Sequence, residues 1–341
     1  MQTPNSIQTY SLSPAQAMLL KSTFTDFRYE QPADLELALG DSCRRFTSVA
    51  PPGLLLALDQ LRRGRLAALV VEGLPFDPTV RAALKDPIVA VAPKSSRLSE
   101  GLLMAVTARC GYLYGVRTEG EGAIVNLCPT VAHKKSFTGL GSTQVLGLHI
   151  ENGLLARLGG GLGPGGLVLI GLHGDPAGNP KTFVADARRA LRRTGPKVER
   201  ELRQIKGFYQ RLPQRWRALG RPDGRLAAPV AGSGDNISFA FALYGDMIEA
   251  TSMRSRHALN AFADALEAEA VGIEVIPGRM LVINNRIAAH GRDSFPPTFG
   301  PDGTPFRWLQ RAFWTNRPQA FATWNRSGPR VLLPPTSLLD D

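Results

Sequence analysis

Cysteine and histidine are scarce in this chain of 341 residues, and their scarcity limits the chemistry that it can perform. The three cysteines are Cys43, Cys110 and Cys128. Their number is odd and no pair has C-x-x-C spacing, so the sequence indicates neither a disulfide framework nor a structural zinc site. Only five histidines are present, and each of them can therefore be considered as a ligand.

Long apolar runs are also missing. The longest ones, such as 66–71 and 167–172, are far shorter than the roughly 20 residues that a helix needs to cross a bilayer. The N-terminal residues lack the basic start, apolar centre and small-residue cleavage site of a secretory signal. We therefore expect a cytoplasmic protein that has no membrane partner.

Positive charge is plentiful and is concentrated in one segment. The net charge is +11, and residues 188–225 contain 13 lysines and arginines against 3 acidic residues. Such a segment could attract nucleic acid, an acidic carrier protein or an anionic substrate, or it could be a solvated pair of helices in an arginine-rich chain. Its aromatic residues are limited to Phe208, Tyr209 and Trp216, fewer than a single-strand-binding groove would contain. We favour solvated helices and do not expect nucleic-acid binding.

Hydrophobic periodicity predicts a mainly β protein with flanking helices. Apolar spacing predicts helices at 14–24, 34–46, 53–61 and 99–108 and a buried strand at 66–72. After Cys110, short β-rich runs alternate with Gly, Pro and Asn, which is typical of a sandwich or barrel. These predicted strands are 112–116, 123–127, 143–150, 167–172, 237–243, 273–276, 280–283 and 308–314. Further helices are predicted from 182 to 193, with a basic continuation, and from 255 to 270.

A possible metal site lies in the motif LGLHIEN. His149 and Glu151 are two residues apart in a segment of strand character, so their side chains leave from the same face. His290 follows another β-like run and could supply a third ligand. Two histidines and one carboxylate that leave coordination positions open are the arrangement of Fe(II) oxygenases. An H-x-E pair alone is common by chance, so the neighbouring motifs have to decide whether this one binds a metal.

That context consists of five segments in a fixed order between about residues 66 and 314: VVEGLP, TGLGSTQVLGLHIEN, GDPAGNPKTFVADARRAL, PGRMLVINNRIAAHGRDSF and RWLQRAFW. They resemble the clavaminate synthase-like branch of the taurine dioxygenase superfamily, whose members include hydroxylases of arginine, asparagine and lysine. The resemblance implies one oxygenase domain over 1–341 with a distorted double-stranded β-helix, or jelly-roll, core. It places an N-terminal α/β flank at 1–110, the core at 111–320 with a helical insertion at about 182–225, and a C-terminal extension at 321–341.

The resemblance also implies a metal centre and a cosubstrate site. The metal ligands fall on His149, Glu151 and His290, with Fe(II) as the metal and 2-oxoglutarate and O2 as cosubstrates. The arginine that pairs with the distal carboxylate of 2-oxoglutarate falls on Arg307, and a threonine that contacts the same carboxylate falls on Thr182. A planar guanidinium can hold a carboxylate through two parallel hydrogen bonds, which suits this role.

Substrate contacts are less directly implied. Arg311 matches the arginine that holds the substrate carboxylate in amino-acid hydroxylases, although an ion pair would explain it equally well. Asp235 is a candidate for binding a cationic substrate end, with an Asx-turn as the alternative. Thr118 stands where relatives have a glutamine that contacts the substrate amine, and Ser142 is a further candidate. Gly139 stands where some relatives have a serine, so the substrate contacts are not simply inherited.

Two other features lie near the metal motif. Gly161, Gly163 and Gly166 form a G-x-G-x-x-G match, but the run that follows is strand-like, so we reject dinucleotide binding and predict a loop over the active-site mouth. Asn285 resembles a family asparagine that braces the metal strand through backbone hydrogen bonds.

The implied reaction is oxidative decarboxylation of 2-oxoglutarate coupled to hydroxylation of an unactivated C–H bond. Glu151 favours hydroxylation over halogenation, because a halogenase needs the carboxylate position vacated for halide. We expect the substrate to be a free amino acid or a related small carboxylate. The same chemistry on an amino acid carried by an acidic protein is an alternative. A basic nucleic-acid-binding protein without turnover is an alternative of another class.

Overall fold

The computed structural model describes residues 6–80, 84–158, 161–217, 223–336 and 338–339. The helices are α1 (Pro14–Thr23), α2 (Leu35–Val49), α3 (Pro52–Arg62), α4 (Leu98–Cys110), α5 (Ala187–Thr194), α6 (Pro196–Leu202), α7 (Gln214–Arg217) and α8 (Met253–Glu269). The strands are β1 (Ile7–Ser11), β2 (Ala68–Glu72), β3 (Tyr112–Val116), β4 (Ile124–Leu127), β5 (Leu146–His149), β6 (Gly166–His173), β7 (Lys181–Asp186), β8 (Phe208–Arg211), β9 (Gly224–Leu226), β10 (Val230–Ala231), β11 (Ser238–Phe239), β12 (Ile248–Ala250), β13 (Val271–Glu274), β14 (Arg279–Ile283), β15 (Ala288–Arg292), β16 (Trp308–Thr315), β17 (Asn325–Gly328) and β18 (Val331–Leu333).

Two sheets dominate the part of the chain that the structure describes. A nine-stranded sheet has the order β1-β2-β14-β6-β16-β3-β18-β17, with β4 also paired to β16. A four-stranded sheet has the order β13-β7-β15-β5. Strand β2 pairs in parallel with β1 and antiparallel with β14, so the N-terminal flank extends the larger sheet.

The larger sheet is buried on both faces. Along β6, Leu167 and Leu169 pack in one apolar cluster with Val184 of the smaller sheet. Val168 and Ile170 pack in another cluster together with residues of the N-terminal helices. Since successive side chains of a strand point to opposite faces, the smaller sheet lies on one side of β6 and helices α1 to α4 lie on the other.

Helices also cover the outer face of the smaller sheet. Ala185 of β7 and Ala289 of β15 pack there against Leu191 of α5, Leu202 of α6 and Phe262 of α8. The molecule therefore consists of two facing sheets with helices on both outer sides. The space between the sheets receives the inward side chains of β5, β7, β15 and β16, and this is where the predicted site residues can meet.

Most predicted elements are confirmed, with boundaries that move by a few residues. The helices predicted at 14–24, 34–46, 53–61, 99–108 and 255–270 correspond to α1, α2, α3, α4 and α8. The strand predicted at 237–243 is reduced to β11. Eight strands had no counterpart in the prediction: β1, β8, β9, β10, β12, β15, β17 and β18. No helix among the described residues is long and apolar enough to cross a membrane.

The helix predicted to begin at residue 182 is wrong at its start. Residues 181–186 are strand β7, which pairs with β15, and helix α5 begins only after Asp186. The Asp186 carboxylate caps that helix by accepting a hydrogen bond from the Arg188 backbone amide at 2.9 Å. In the strand, buried Thr182 and Val184 face inwards while Phe183 and Ala185 face the helices. This two-residue alternation places Thr182 beside the inner cavity instead of on a helix.

Candidate active site

The predicted metal ligands meet on the inner face of the smaller sheet. His149 ends β5 and lies directly opposite His290 of β15 in an antiparallel pair. Glu151 follows His149 by two residues, and the possible ligand atoms of all three side chains lie within 4.8 Å of one another. The two imidazole ring centroids are 4.3 Å apart. In the ranges that the structure describes, no other group of three or more His, Cys, Asp or Glu side chains is arranged to hold a metal ion.

The protonation states of His149 and Glu151 suit a divalent metal. His149 Nδ1 lies 2.9 Å from the Gly147 carbonyl oxygen, which can only accept, so Nδ1 carries the proton and Nε2 presents its lone pair. Burial, together with the neighbouring His290, lowers the pKa of His149 to about 4, and the ring is therefore neutral at neutral pH. Burial raises the pKa of Glu151, but Arg311 and the two imidazoles outweigh it and hold that pKa below its ordinary value. The neutral imidazole of His149 and the ionised carboxylate of Glu151, together with the His290 imidazole, form a donor set that fits Fe(II).

Asn285 fixes the backbone that carries Glu151. Its side-chain oxygen accepts a hydrogen bond from the Glu151 amide at 2.7 Å, and its side-chain nitrogen donates to the carbonyl oxygens of Glu151 and Pro164, both at 3.0 Å. Asn285 is itself buried. These contacts confirm the predicted bracing of the metal strand by this asparagine.

Thr182 and Arg307 lie beside the triad in a cavity of about 70 Å3 between the two sheets. Arg307 is only 3% exposed, and its Nε has no hydrogen-bond partner. Burial, together with the nearby Arg292, lowers the pKa of Arg307 to about 9. Desolvating a guanidinium without a counter-charge is costly, and a bound carboxylate would remove that cost.

Arg292 is a second buried arginine in this cavity. Its Nε also lacks a hydrogen-bond partner, and burial lowers its pKa to about 10. The guanidiniums of Arg292 and Arg307 each lie 5.2 Å from the centroid of the Phe295 ring. In the sequence Arg292 follows His290 by two residues, and this spacing did not predict that Arg292 lies beside Arg307.

Arg311 lies in β16, four residues beyond Arg307, which directly precedes that strand, and the Arg311 guanidinium is ion-paired. It lies 2.9 Å from the Glu119 carboxylate and 3.3 Å from that of Glu151. The ion pair that sequence reasoning left open is therefore present, although Arg311 also lines the cavities on both sides of the triad. Its distance from Glu151 places a positive charge directly against one of the three clustered ligands.

Glu119 and Arg215 belong to the same network, and sequence reasoning missed both of them. Glu119 is buried in a turn after β3 and accepts hydrogen bonds from Arg311, Arg215 and the Trp216 indole. Burial raises the pKa of Glu119, but Arg215 and Arg311 outweigh it and keep the pKa below its ordinary value. Arg215 comes from α7, inside the basic segment. No local pattern marks either residue, because 192 positions separate Glu119 from Arg311 and 96 separate it from Arg215.

A larger cavity of about 470 Å3 opens from the triad on the Arg311 side. Its wall includes Gly139, the apolar residues Leu154 and Leu155 that follow the metal motif, and Arg215. The glycine-rich segment continues into β6, which begins at Gly166, so no helix follows the G-x-G-x-x-G match. The strand predicted after this match is therefore present, and the helix that a dinucleotide-binding fingerprint would open is not found there.

Three of the predicted substrate-contacting residues lie away from these two cavities. Asp235 is exposed on a 3-10 turn, Gly234–Asn236, and lines neither cavity. Thr118 and Ser142 have buried hydroxyl groups without hydrogen-bond partners, but neither residue lines these cavities. The structure thus brings together the triad, Thr182, Arg307 and Arg311, and leaves these three outside.

Many arginines of the basic segment 188–225 form ion pairs within the chain. Arg189 and Arg193 both contact the buried Glu269 carboxylate, at 2.8 Å and 2.5 Å. Arg203 pairs with Glu199 at 2.7 Å. Much of the excess charge is therefore compensated locally, which agrees with solvated helices more than with a nucleic-acid surface.

Comparison with known proteins supports the interpretation of these motifs. No protein-family model matches the chain. It is 27% identical to L-asparagine oxygenase of Streptomyces coelicolor over an alignment of 264 residues, which covers 72% of this chain and 70% of that protein. It is 28% identical over 251 residues to L-lysine 3-hydroxylase of Catenulispora acidiphila, which covers 72% of this chain and 66% of that protein.

Solved structures share the fold over nearly the whole chain. An asparagine oxygenase in complex with Fe(II), 3-hydroxyasparagine and succinate superposes with a TM-score of 0.82 at 22% identity, covering 96% of this chain and 99% of that one. The non-haem iron oxygenase OrfP, in complex with Fe, succinate and 3-hydroxyarginine, superposes with a TM-score of 0.78 at 22% identity, covering 95% and 99%. The chain is thus similar in sequence to an asparagine oxygenase and a lysine hydroxylase and in fold to non-haem iron oxygenases, and its resemblance to the clavaminate synthase-like branch of the taurine dioxygenase superfamily is confirmed.

Proposed function

We propose that this protein is an Fe(II)- and 2-oxoglutarate-dependent oxygenase that hydroxylates a free amino acid or a closely related small carboxylate. The observation that carries the proposal is the buried cluster of His149, Glu151 and His290 beside Arg307, an arginine with an unsatisfied Nε. The curated relatives support it, because their names describe an oxygenase of asparagine and a hydroxylase of lysine.

In this proposal each side chain has a defined task. His149, Glu151 and His290 would hold the iron, and Arg307 with Thr182 would hold the distal carboxylate of 2-oxoglutarate. Bound iron supplies dioxygen activation coupled to oxidative decarboxylation of 2-oxoglutarate to succinate. Asn285 keeps the Glu151 backbone in place, and the burial of the triad excludes bulk water. Because Glu151 keeps a carboxylate in the ligand set, we propose hydroxylation and not halogenation.

We further infer that the two facing sheets are a distorted double-stranded β-helix and that residues 1–341 form a single domain. Two observations support this inference. Inward residues of both sheets share one apolar cluster, which includes Leu169, Val184 and Leu281. The N-terminal strands β1 and β2 extend the larger sheet and do not form a sheet of their own.

A carrier-bound substrate and a nucleic-acid-binding role both find less support than a free amino acid. Each of them would draw on the basic segment, where Arg189, Arg193 and Arg203 already pair with acidic residues of the chain. Surface charges that are paired in this way contribute little net attraction for an outside polyanion.

The test is a turnover assay with the twenty amino acids and their simple derivatives. Purified protein loaded with Fe(II) is supplied with 2-oxoglutarate and oxygen, and succinate and hydroxylated product are measured with and without a chelator. We expect at least one amino acid to stimulate succinate release and a chelator to abolish it. No metal-dependent succinate release with any of these compounds, together with salt-steep RNA or DNA affinity that needs no metal, would contradict the proposal.

A further inference from the structure

The charged groups around the larger cavity are mostly paired with one another. Of the acidic residues in its wall, Asp246 accepts two hydrogen bonds from Arg217, at 2.8 Å and 2.9 Å. Arg211 pairs with Asp223 and Glu249, both at 3.1 Å. Both arginines are therefore already paired with acidic residues, and the negative charge of Asp246 is already balanced by Arg217.

Close to the triad, by contrast, positive charge exceeds negative charge. The other acidic residue in the wall is Glu151, which the proposed function assigns to the metal. The guanidiniums of Arg215 and Arg311 then face Glu119 alone, so one positive charge is uncompensated. The Nε of Arg215 is buried and has no hydrogen-bond partner. A carboxylate placed here would satisfy this donor and balance the charge.

The rest of the wall is largely apolar. Buried Leu212, Phe241 and Met247 line it, and the Phe137 and Tyr244 rings stack beside them with centroids 5.5 Å apart and planes 20° apart. Beside these apolar residues the described part of the wall offers no unpaired acid for the ammonium or guanidinium group of a cationic side chain. Burying such a side-chain group here would cost its desolvation without a matching ion pair. The cavity volume of about 470 Å3 is also larger than a small side chain would fill.

Building on the proposed function, we propose that the substrate is an amino acid with a bulky uncharged side chain, aliphatic or aromatic, whose carboxylate is bound by Arg215 together with Arg311. The side chain would occupy the apolar part of the larger cavity. Arg215 thereby becomes a specificity-determining residue that the basic segment contributes to the active site. The side chains of lysine, arginine, aspartate and glutamate are charged, and the apolar part of the wall has no group of opposite charge to pair with them.

The first experiment compares substrates on the wild-type enzyme. Succinate release and hydroxylated product are measured with leucine, phenylalanine and tryptophan, and separately with lysine, arginine, aspartate and glutamate. We expect coupled turnover only in the uncharged set. Turnover confined to a charged amino acid would overturn this inference and leave the proposed function intact, whereas no metal-dependent turnover with any compound would overturn both.

The second experiment tests the carboxylate contact with Arg215→Gln, with Arg203→Gln as the matched control. Arg203 lies in the same basic segment and pairs with Glu199 away from both cavities. In Arg215→Gln we expect the KM for the amino acid to rise about 10- to 100-fold, while the KM for 2-oxoglutarate changes less than about threefold. The control should change neither value.

A structural role for Arg215 predicts a different result. Glu119 keeps Arg311 as a partner in Arg215→Gln, so we expect the variant to fold, and its circular dichroism spectrum and Tm check this. The best substrate and its primary amide are then compared in both enzymes. The wild type should prefer the acid strongly and the variant should lose most of that preference. A variant that keeps the preference, or that raises both KM values equally, would overturn the assignment of Arg215.

Discussion

Two buried arginines, Arg307 just before strand β16 and Arg311 within it, lie in opposite electrostatic settings. Arg307 has an unsatisfied Nε and a second buried arginine, Arg292, nearby. Arg311, four residues later, lies within 3.3 Å of two carboxylates, those of Glu119 and Glu151. The smaller cavity thus contains an unsatisfied cation, whereas the cation between the two cavities is compensated.

This difference teaches how the two cavities can distinguish their ligands. Burying an uncompensated guanidinium lowers the stability of the protein unless an anion binds to it, so Arg307 indicates a constant anionic ligand. Arg311 is held in place by Glu119 and Glu151. The positive charge that it can offer to a ligand depends on Arg215, which shares Glu119, and on the metal, which would take up the negative charge of Glu151. We expect the Arg307 end to suit an invariant cosubstrate and the Arg311 end to be the one where specificity differs between relatives.

The largest effect on activity should come from the triad, which lies between the cavity beside Arg307 and the larger cavity beside Arg311. In His149→Ala and in His290→Ala we expect 2-oxoglutarate turnover to be abolished, because two remaining ligands hold Fe(II) too weakly. Succinate formation measures the loss, and circular dichroism checks that the fold is intact. His257→Ala, which removes an exposed histidine of α8, is the control and should turn over normally. Full turnover in either triad variant would remove the basis of the metal assignment.

The next largest effect should be on stability at the Arg311 end. Glu119→Gln removes the nearer of the two carboxylates beside Arg311 and Arg215, and loss of one partner from a buried pair typically costs about 3–5 kcal/mol. Denaturant unfolding should show a decrease of that size in the free energy of unfolding. Glu199→Gln removes the partner of Arg203 in a more exposed i,i+4 pair and should cost less than about 0.5 kcal/mol. Equal costs in the two variants would mean that Glu119 does not hold this end together.

A smaller effect, confined to cosubstrate binding, is expected at Arg307. Arg307→Lys keeps a positive charge but loses the planar fork that holds a carboxylate through two bonds. We expect the KM for 2-oxoglutarate to rise about 10- to 100-fold and the KM for the amino acid to stay within about threefold. Steady-state kinetics with each compound varied in turn provide the measurement. A rise confined to the amino acid would reverse the assignment of the two ends.

The smallest effect is expected at Asp235. Because its side chain is exposed on a turn and lines neither cavity, Asp235→Ala should change each KM by less than about twofold. Kinetics with the preferred substrate provide the check. A tenfold rise in the KM for the amino acid would show that this turn closes over the substrate after all.

The sequence was sufficient for residues whose geometry follows from a local pattern. The two-residue spacing of His149 and Glu151 predicts side chains on one side of the chain, and both do meet in the triad although β5 ends at His149. The four-residue spacing of Arg307 and Arg311 likewise agrees with their place in the wall of one cavity. The motif around Asn285 was specific enough to predict its bracing role, which the hydrogen bonds to Glu151 confirm.

Residues that act through long-range contacts could not be found in this way. Glu119 lies in a turn and Arg215 on a four-residue helix, and only the folding of distant segments brings them to Arg311. The helix predicted from residue 182 was wrong for a related reason. Pairing with β15 imposes the strand conformation on residues 182–186, which apolar content alone does not distinguish from a helix.

The central claim is that His149, Glu151 and His290 hold one Fe(II) per chain, and an anaerobic binding titration tests it most directly. Fe(II) is titrated into the wild-type protein and into a His149→Ala/His290→Ala double variant, each with and without 2-oxoglutarate. We predict one tight site per wild-type chain, 2-oxoglutarate binding that depends on the metal, and neither event in the double variant. No Fe(II) binding by the wild type, or equal binding by the double variant, would contradict the account.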